Sequence, residues 1–363
     1  MTDTPFQRLT RFIRDREGSF EEEAADLFRF QWERNPAYRA LCQARGIGPD
    51  SLTDSRQIPA VATRFFKRTT LFAGLPGQAA ASFSTSGTSG GPSNKGRSYF
   101  SAAGLDLMET GIVANARAML FPDVERTHIL VLAPSPQAAP EMIMAWGMDR
   151  LIRHFGTPES GFLVGPQGLD VPGLLGKLAE FTRQDAPVTL IGASFGFVNL
   201  LEGLAKKGFS IRLPKGSRTM DAGGYKGRSR VLTRAELQRW LSDVFGIQPG
   251  LMVNLLGMTE LASQLYDDTI AATAAGKTPH GLKQNPHWTR TRVVDPATLA
   301  DVPDGQEGVL LHLDLANLDT PMAVLTDDVG VMHARGFEVL GRVGADDSRG
   351  CSLTVDELTR GNA

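Results

Sequence analysis

The sequence predicts an α/β fold: a large domain with a mixed, largely parallel sheet flanked by helices, followed by a smaller β-rich subdomain. Three observations carry this. Short apolar runs at 129–133, 188–191 and 251–256 alternate with segments of helical periodicity, the pattern of strands buried on both faces between crossover helices. Beyond about Thr289 the texture changes to short strand-like runs separated by Asp, Pro and Gly. The composition, 42% hydrophobic and 21% charged over 363 residues, is that of a globular chain long enough for one large domain or two modest ones.

Taken in order, residues 5–45 read as helical, with Phe6, Leu9, Phe12 and Ile13 at helical spacing. Glu21-Glu22-Glu23 is expected as a solvated first helical turn, where negative charge suits the dipole. A Pro/Gly-rich passage at 46–59 leads into the basic segment Arg64-Phe65-Phe66-Lys67-Arg68. Helices are expected at Ala102–Met119, 141–155 and 171–181, after the 188–191 strand to about Lys207, and from Thr233, whose Thr233-x-x-Glu236 spells a capping box. Strands are expected at 129–133, 162–164, 188–191 and 251–256, then at 291–294, 309–315, 322–326 and 337–340.

A formal charge of −2 provides no field for nucleic acid or an anionic membrane, and no apolar run is long enough to span a bilayer. The two cysteines, Cys42 and Cys351, cannot make a disulfide framework. The first residues lack the apolar core of a signal peptide. A cytoplasmic protein is the expectation.

Four stretches carry candidate chemistry. At 82–99, Ser84-Thr85-Ser86-Gly87-Thr88-Ser89-Gly90-Gly91 is all hydroxyl and glycine, with Lys95 and Arg97 behind it. Uncovered backbone N–H groups, hydroxyls and positive charge are the parts of a phosphate cradle; the alternative is a flexible linker. Gly257-Met258-Thr259-Glu260 directly follows the 251–256 strand, where open α/β sheets bind ligands. Thr259 suits a phosphate oxygen and Glu260 suits Mg²⁺, or the pair simply starts a helix. Asp221-Ala222-Gly223-Gly224-Tyr225-Lys226-Gly227 is a glycine-rich turn that admits a flat base or a phosphate, or a plain loop. Thr326-Asp327-Asp328-Val329-Gly330, then Gly341-Arg342, offers an aspartate beyond a strand end for a ribose and an arginine for phosphate; the alternative is a β-turn.

These motifs, in their order along the chain, resemble those of adenylate-forming enzymes, and most closely the acyl-protein synthetase branch, the LuxE family of bacterial luminescence operons. The resemblance covers most of the chain, including Ile58-Pro59, Phe66-Lys67 and Arg349-Gly350-Cys351-Ser352-Leu353. It implies an adenylate-forming catalytic domain at 1–340 (helical lead-in 1–60, α/β core 61–288, β-rich subdomain 289–340). A short segment at 341–363 stands where larger relatives carry a full C-terminal domain. It implies ATP and Mg²⁺, a carboxylic acid substrate, and an acyl-CoA-reductase-like or acyl-carrier partner protein. By position, Ser84, Thr85, Ser86, Gly87, Thr88, Ser89 and Gly90 would close on the ATP phosphates, and Gly223 and Gly224 would flank adenine. Gly257, Met258 and Thr259 would face the α-phosphate, Glu260 the Mg²⁺, Asp328 the ribose, and Arg342 the nucleotide at the hinge.

Departures from the family pattern are Leu256 in the place of an aromatic, Lys95 further from the loop than usual, and no catalytic lysine from a C-terminal domain. Lys226 is the expected substitute for that cation. In the luminescence branch a cysteine near the C-terminus takes the acyl group. Cys351 matches it, and a capping box at Thr354-x-x-Glu357 with Arg349 beside it would favour thiolate. A buried structural cysteine is the alternative. A coenzyme A or carrier-protein ligase is the neighbouring reading. A serine thioesterase or esterase is the rival class, because Gly192-Ala193-Ser194-Phe195-Gly196 fits G-x-S-x-G with His280, His287, His312 and His333 downstream. A third class, a nucleotide-binding regulator, predicts ATP binding without pyrophosphate release.

Overall fold

The computed structural model describes residues 3–85, 95–223 and 232–342. Three helices open the chain: α1 (Pro5–Asp15), α2 (Phe20–Arg34) and α3 (Pro36–Ala44). Each start is written locally. Thr4 and Gln7 form a reciprocal capping box with Pro5 in the first turn, Ser19 caps α2, and Asn35 caps α3 ahead of Pro36. The acidic triplet meets expectation at Glu21 and Glu22, which are exposed, and departs from it at Glu23. Glu23 is buried and accepts from Arg8 at 3.1 Å, while Glu21 accepts from Ser55 N at 2.8 Å and pairs with Arg290. Tertiary partners claim the face that points inward.

Strand β1 (Val61–Ala62), the hairpin β2 (Ala81–Ser84) and β3 (Arg97–Phe100), and the long helix α4 (Ala102–Met119) follow. Then come β4 (His128–Pro134), α5 (Ile143–Phe155), β5 (Gly161–Gly165), β6 (Gly168–Leu169), α6 (Val171–Arg183), β7 (Val188–Ala193) and α7 (Ser194–Ala205). The alternation ends with β8 (Arg218–Ala222), α8 (Arg234–Phe245), β9 (Met252–Leu256), β10 (Leu265–Tyr266) and α9 (Thr269–Ala274). The capping box predicted at Thr233 is present in both directions, and Gly246 closes α8 at φ 71°. The last strands are β11 (Thr289–Val294), β12 (Glu307–Asp314), β13 (Ala323–His333) and β14 (Gly336–Arg342).

The described residues divide into two compact units. Unit 1 lies within Met1–Gly111, Met258–Ser263 and Leu282–Ala363; unit 2 lies within Ile112–Gly257 and Gln264–Gly281. Unit 2 holds a seven-stranded sheet in the order β10-β9-β8-β7-β4-β5-β6. Its five inner strands run parallel, and the two-residue edge strands are antiparallel. Leu130, Leu190, Phe197, Leu201, Leu241 and Phe245 are buried in its core, as apolar runs covered by helices on a parallel sheet require. Cross-strand pairs Ala193↔Ala222 and Ala222↔Leu255 bring the carboxyl ends of β7, β8 and β9 to one edge.

Unit 1 holds a five-stranded sheet in the order β1-β13-β12-β11, with β14 on the far half of β13. Here the sequence expectation is corrected. Residues 326–330 make neither a strand end nor a β-turn; β13 runs on through them to His333. Opposite the single residue Leu310 of β12, Thr326, Asp327 and Asp328 bulge out of register, while Val329 and Gly330 pair with both neighbours and Asp328 pairs with β14, and this pairing overrides the local turn preference. Among the described residues no helix is long and apolar enough to cross a membrane.

Candidate active site

The hydroxyl/glycine stretch grows from the β2–β3 hairpin. Ser84 pairs with Arg97, and Thr85 closes the stem: its N–H donates to Gly96 O at 2.9 Å while its Oγ1 accepts from Gly96 N at 2.9 Å. A side chain at Gly96 would meet Thr85 Cγ2 at 3.2 Å and the Phe66 backbone at 3.4 Å, so the stem packs closely on the basic segment. Arg97 donates to Ser82 Oγ at 3.0 Å, and Lys95 is exposed. Ser86, Gly87, Thr88, Ser89 and Gly90 lie outside the described residues.

Thr259 and Glu260 occupy a tight turn between β9 and β10, not the start of a helix, and each is only 7% exposed. Residues that carry no motif hold this turn. Ala262 N donates to Asn317 Oδ1 at 2.7 Å, and Asn317 Nδ2 donates back to Glu260 O at 2.9 Å. Ser263 donates through N and Oγ to Asp314, at 2.8 and 2.7 Å, and Trp288 Nε1 donates to Ser263 Oγ at 2.9 Å. Sequence reasoning missed Asp314 and Asn317. Their only signal is a run of Asn, Asp and Pro at 314–321, which reads as an ordinary turn.

Three carboxylates and one guanidinium gather in the same unit. Asp328, mid-strand in β13, accepts from Arg342 Nε of β14 at 2.9 Å, the two being cross-strand partners. Burial raises the Asp328 carboxyl against the pull of Arg342. Burial also pushes Glu260 up to about 7; its own backbone amide and Arg342 pull it back, whereas Asp327 and Asp328 push it further. Among the described residues no side-chain donor is bonded to the Glu260 carboxyl. Among the described residues no group of three or more His, Cys, Asp or Glu is placed to hold a metal ion, so a divalent cation at Glu260 would take most of its oxygen ligands from phosphate and water.

In unit 2, Gly223 ends β8 at φ +72°, a conformation that favours glycine, with no atom within 4 Å of where a side chain would start. Gly224 and Lys226 lie outside the described residues. Gly257 follows β9, and a side chain there would stand 3.8 Å from Met144 Sδ.

Ser194 begins α7, yet it lacks the features of a hydrolase nucleophile. Its Oγ is buried and donates to Asp221 Oδ2 at 2.7 Å, with Gly223 O at 2.8 Å. Asp221 is further held by Asn254 Nδ2 at 2.9 Å and by Arg234. The strained backbone of a nucleophile elbow is absent, since Ser194 is not among the described residues with positive φ. His287, His312 and His333 stand against Phe12 O, Thr291 Oγ1 and Glu338 instead. The G-x-S-x-G turn is a structural strand-to-helix corner.

Comparison with known proteins assigns the chain's family and fold. The family described as "Acyl-protein synthetase, LuxE" matches residues 10–359. Two curated relatives are long-chain-fatty-acid–luciferin-component ligases. One, from Vibrio harveyi, is 23% identical over 91% of this chain and 85% of its own; the other, from Aliivibrio fischeri, is 24% identical over 95% and 92%. Among solved structures, an open 2-hydroxyisobutyryl-CoA ligase in complex with 2-HIB-AMP and CoA aligns at a TM-score of 0.62 and 13% identity, over 91% of this chain and 76% of that one. ATP-bound MatB from Rhodopseudomonas palustris aligns at 0.50 and 18%, over 73% and 48%. The structural likenesses speak for the fold, that of the adenylate-forming ligases. With its family pattern matched over nearly its whole length, the chain belongs to the LuxE family of acyl-protein synthetases.

Proposed function

We propose that this chain joins a long-chain fatty acid to AMP at the expense of ATP, with Mg²⁺, and then passes the acyl group to its own Cys351. Acyl activation and transfer come with the family. The observation that supports the residue assignment is the convergence in unit 1 of the Thr259-Glu260 turn with Asp328 and Arg342, from segments about 70 residues apart in sequence. The name of the curated relatives supports the fatty acid.

A carboxylate is a poor electrophile. In the proposed first step its oxygen attacks the α-phosphorus of ATP, the bond to pyrophosphate breaks, and acyl-AMP forms. In the second, a thiolate attacks the acyl carbon, AMP leaves with the bonding pair, and a thioester remains. Thr259 would donate to the α-phosphate and Asp328 would accept the ribose hydroxyls. Ser84 to Gly90 would cover the phosphates, Gly223 and Gly224 would border the base, and Gly257 and Met258 would carry the turn. Glu260 would hold Mg²⁺, which offsets phosphate charge when bound. Lys226 is the proposed cation of adenylation.

Of the two cysteines, only Cys351 remains a candidate acceptor. Cys42 is buried in α3, and burial pushes its thiol up to about 11, so its nucleophilic form is scarce. Cys351 itself lies outside the described residues. Transfer onward to an acyl-CoA-reductase-like or acyl-carrier protein would complete the cycle.

Intact-mass spectrometry tests the transfer. Wild type incubated with fatty acid and MgATP is expected to gain one acyl group, released by neutral hydroxylamine. Cys351→Ser is expected to lose that adduct and keep pyrophosphate exchange. A hydroxylamine-labile adduct that persists in Cys351→Ser overturns the assignment, and a thioester formed only on added coenzyme A moves the protein to the neighbouring class.

A further inference from the structure

The connection from β12 to β13 is a loop without an exposed residue. Leu315, Asn317 and Met322 are 0% exposed, and Asp319 and Thr320 are 3% and 1%. Loops normally run over the surface, because buried backbone groups must find partners. Here each partner is a segment of unit 1. The Gln31 side chain of α2 donates to Asn317 O at 2.5 Å and Thr320 O at 2.6 Å and accepts from Met322 N at 3.1 Å. The Asp319 carboxylate accepts from Ser101 N at 2.7 Å and Ser101 Oγ at 2.9 Å, directly after β3. Asn317 uses its carboxamide fully: Oδ1 accepts from Ala262, and Nδ2 donates to Glu260 O and, at 3.2 Å, to Pro321 O.

We infer that Asn317 is a positioning residue for Glu260: it fixes the turn directly after that residue and so sets the affinity for the divalent cation. The inference rests on the reading of Glu260 as the Mg²⁺ ligand. The carboxamide is specific to the task. It clamps the Glu260 carbonyl and, two residues on, the Ala262 amide, so the peptide that carries the carboxylate cannot rotate away. An aspartate of the same shape keeps the acceptor but loses both donors, so the Glu260 and Pro321 carbonyls lose their partner. A serine shortens the reach to both partners. Glu260 then samples other directions, and a cation that depends on its aim binds more weakly.

The test is Mn²⁺ binding in the presence of the unreactive analogue α,β-methylene-ATP, followed by electron paramagnetic resonance. Pyrophosphate exchange titrated with Mg²⁺ runs alongside it, for wild type, Asn317→Asp, Asn317→Ser and Glu260→Gln. Loss of a residue that orients a metal ligand weakens affinity by roughly 10- to 100-fold, and that shift is expected in both measurements for both Asn317 variants. Excess Mg²⁺ should restore their exchange rate, and the KM for fatty acid should not move. A structural role alone predicts less folded enzyme at an unchanged half-saturating Mg²⁺. Should Asn317→Asp fail to fold, Asn317→Ser decides. Unchanged metal affinity in the Asn317 variants, with a shift in Glu260→Gln, overturns the inference and leaves Glu260 as the ligand. Unchanged affinity in Glu260→Gln as well removes the ligand assignment and the inference with it.

Discussion

Replacing Thr259 with alanine is expected to slow fatty-acid-dependent ATP–pyrophosphate exchange about 10- to 150-fold, because a hydrogen bond to a charged oxygen contributes roughly 1.5–3 kcal/mol. The variant should fold normally. Thr259 sits in a turn whose shape is held elsewhere, by Ala262 and Glu260 on Asn317 and by Ser263 on Asp314. Removing one hydroxyl therefore leaves the backbone in place. Thr259→Ser, which keeps the hydroxyl, should retain most of the exchange rate. Equal losses in both variants would point to packing of the methyl group instead, and unchanged exchange in Thr259→Ala takes Thr259 out of the site.

Glu260→Gln is expected to have opposite effects on activity and stability. Exchange at limiting Mg²⁺ should fall by at least the roughly 10- to 100-fold that follows loss of an outer-shell metal partner. Stability without metal should rise, and the sign follows from the proton balance. Glu260 titrates near 7 when folded, against an ordinary value of 4.5. Between those values the folded state holds a proton that the unfolded state has released, so wild type loses stability as pH rises from about 4.5 to about 7. Glutamine resembles the protonated acid and does not titrate. Above pH 7 the metal-free variant should therefore be more stable by about 1–3 kcal/mol, while at pH 4 the two proteins should match. Thermal melts at both pH values measure this. A variant less stable than wild type at pH 8 would show that Glu260 is well compensated in the fold, and the cation argument would lose its basis.

Much of unit 2 was legible in the sequence because its signals are local. Apolar runs marked β4, β7 and β9, and a capping box marked α8. Gly257-Met258-Thr259-Glu260, whose last three residues belong to unit 1, was legible too, because it directly follows β9, where a parallel sheet presents its ligand edge. Less was legible in unit 1, where distant pairing decides. Thr326-Asp327-Asp328-Val329-Gly330 reads as a turn, and only the pairing of Asp328 with β14 and of Val329 and Gly330 with both neighbours makes it the middle of β13. Asn317 and Gln31 were silent for the same reason. Asn317 bonds residues more than 50 positions away, and Gln31 bonds a loop almost 300 positions away. Neither contact leaves a spacing to find. The acidic triplet shows the limit in reverse, since a helix dipole explains why Glu21, Glu22 and Glu23 suit the first turn of α2 but cannot say that Glu23 faces Arg8.

The central claim is that this chain makes an acyl-adenylate. The most direct measurement is exchange of labelled pyrophosphate into ATP by the wild-type protein, over unbranched fatty acids of graded chain length, with Mg²⁺ and without added thiol. The account predicts exchange that requires both the acid and Mg²⁺, with a maximum among the longer chains. ATP binding with no acid-dependent exchange at any chain length would contradict it.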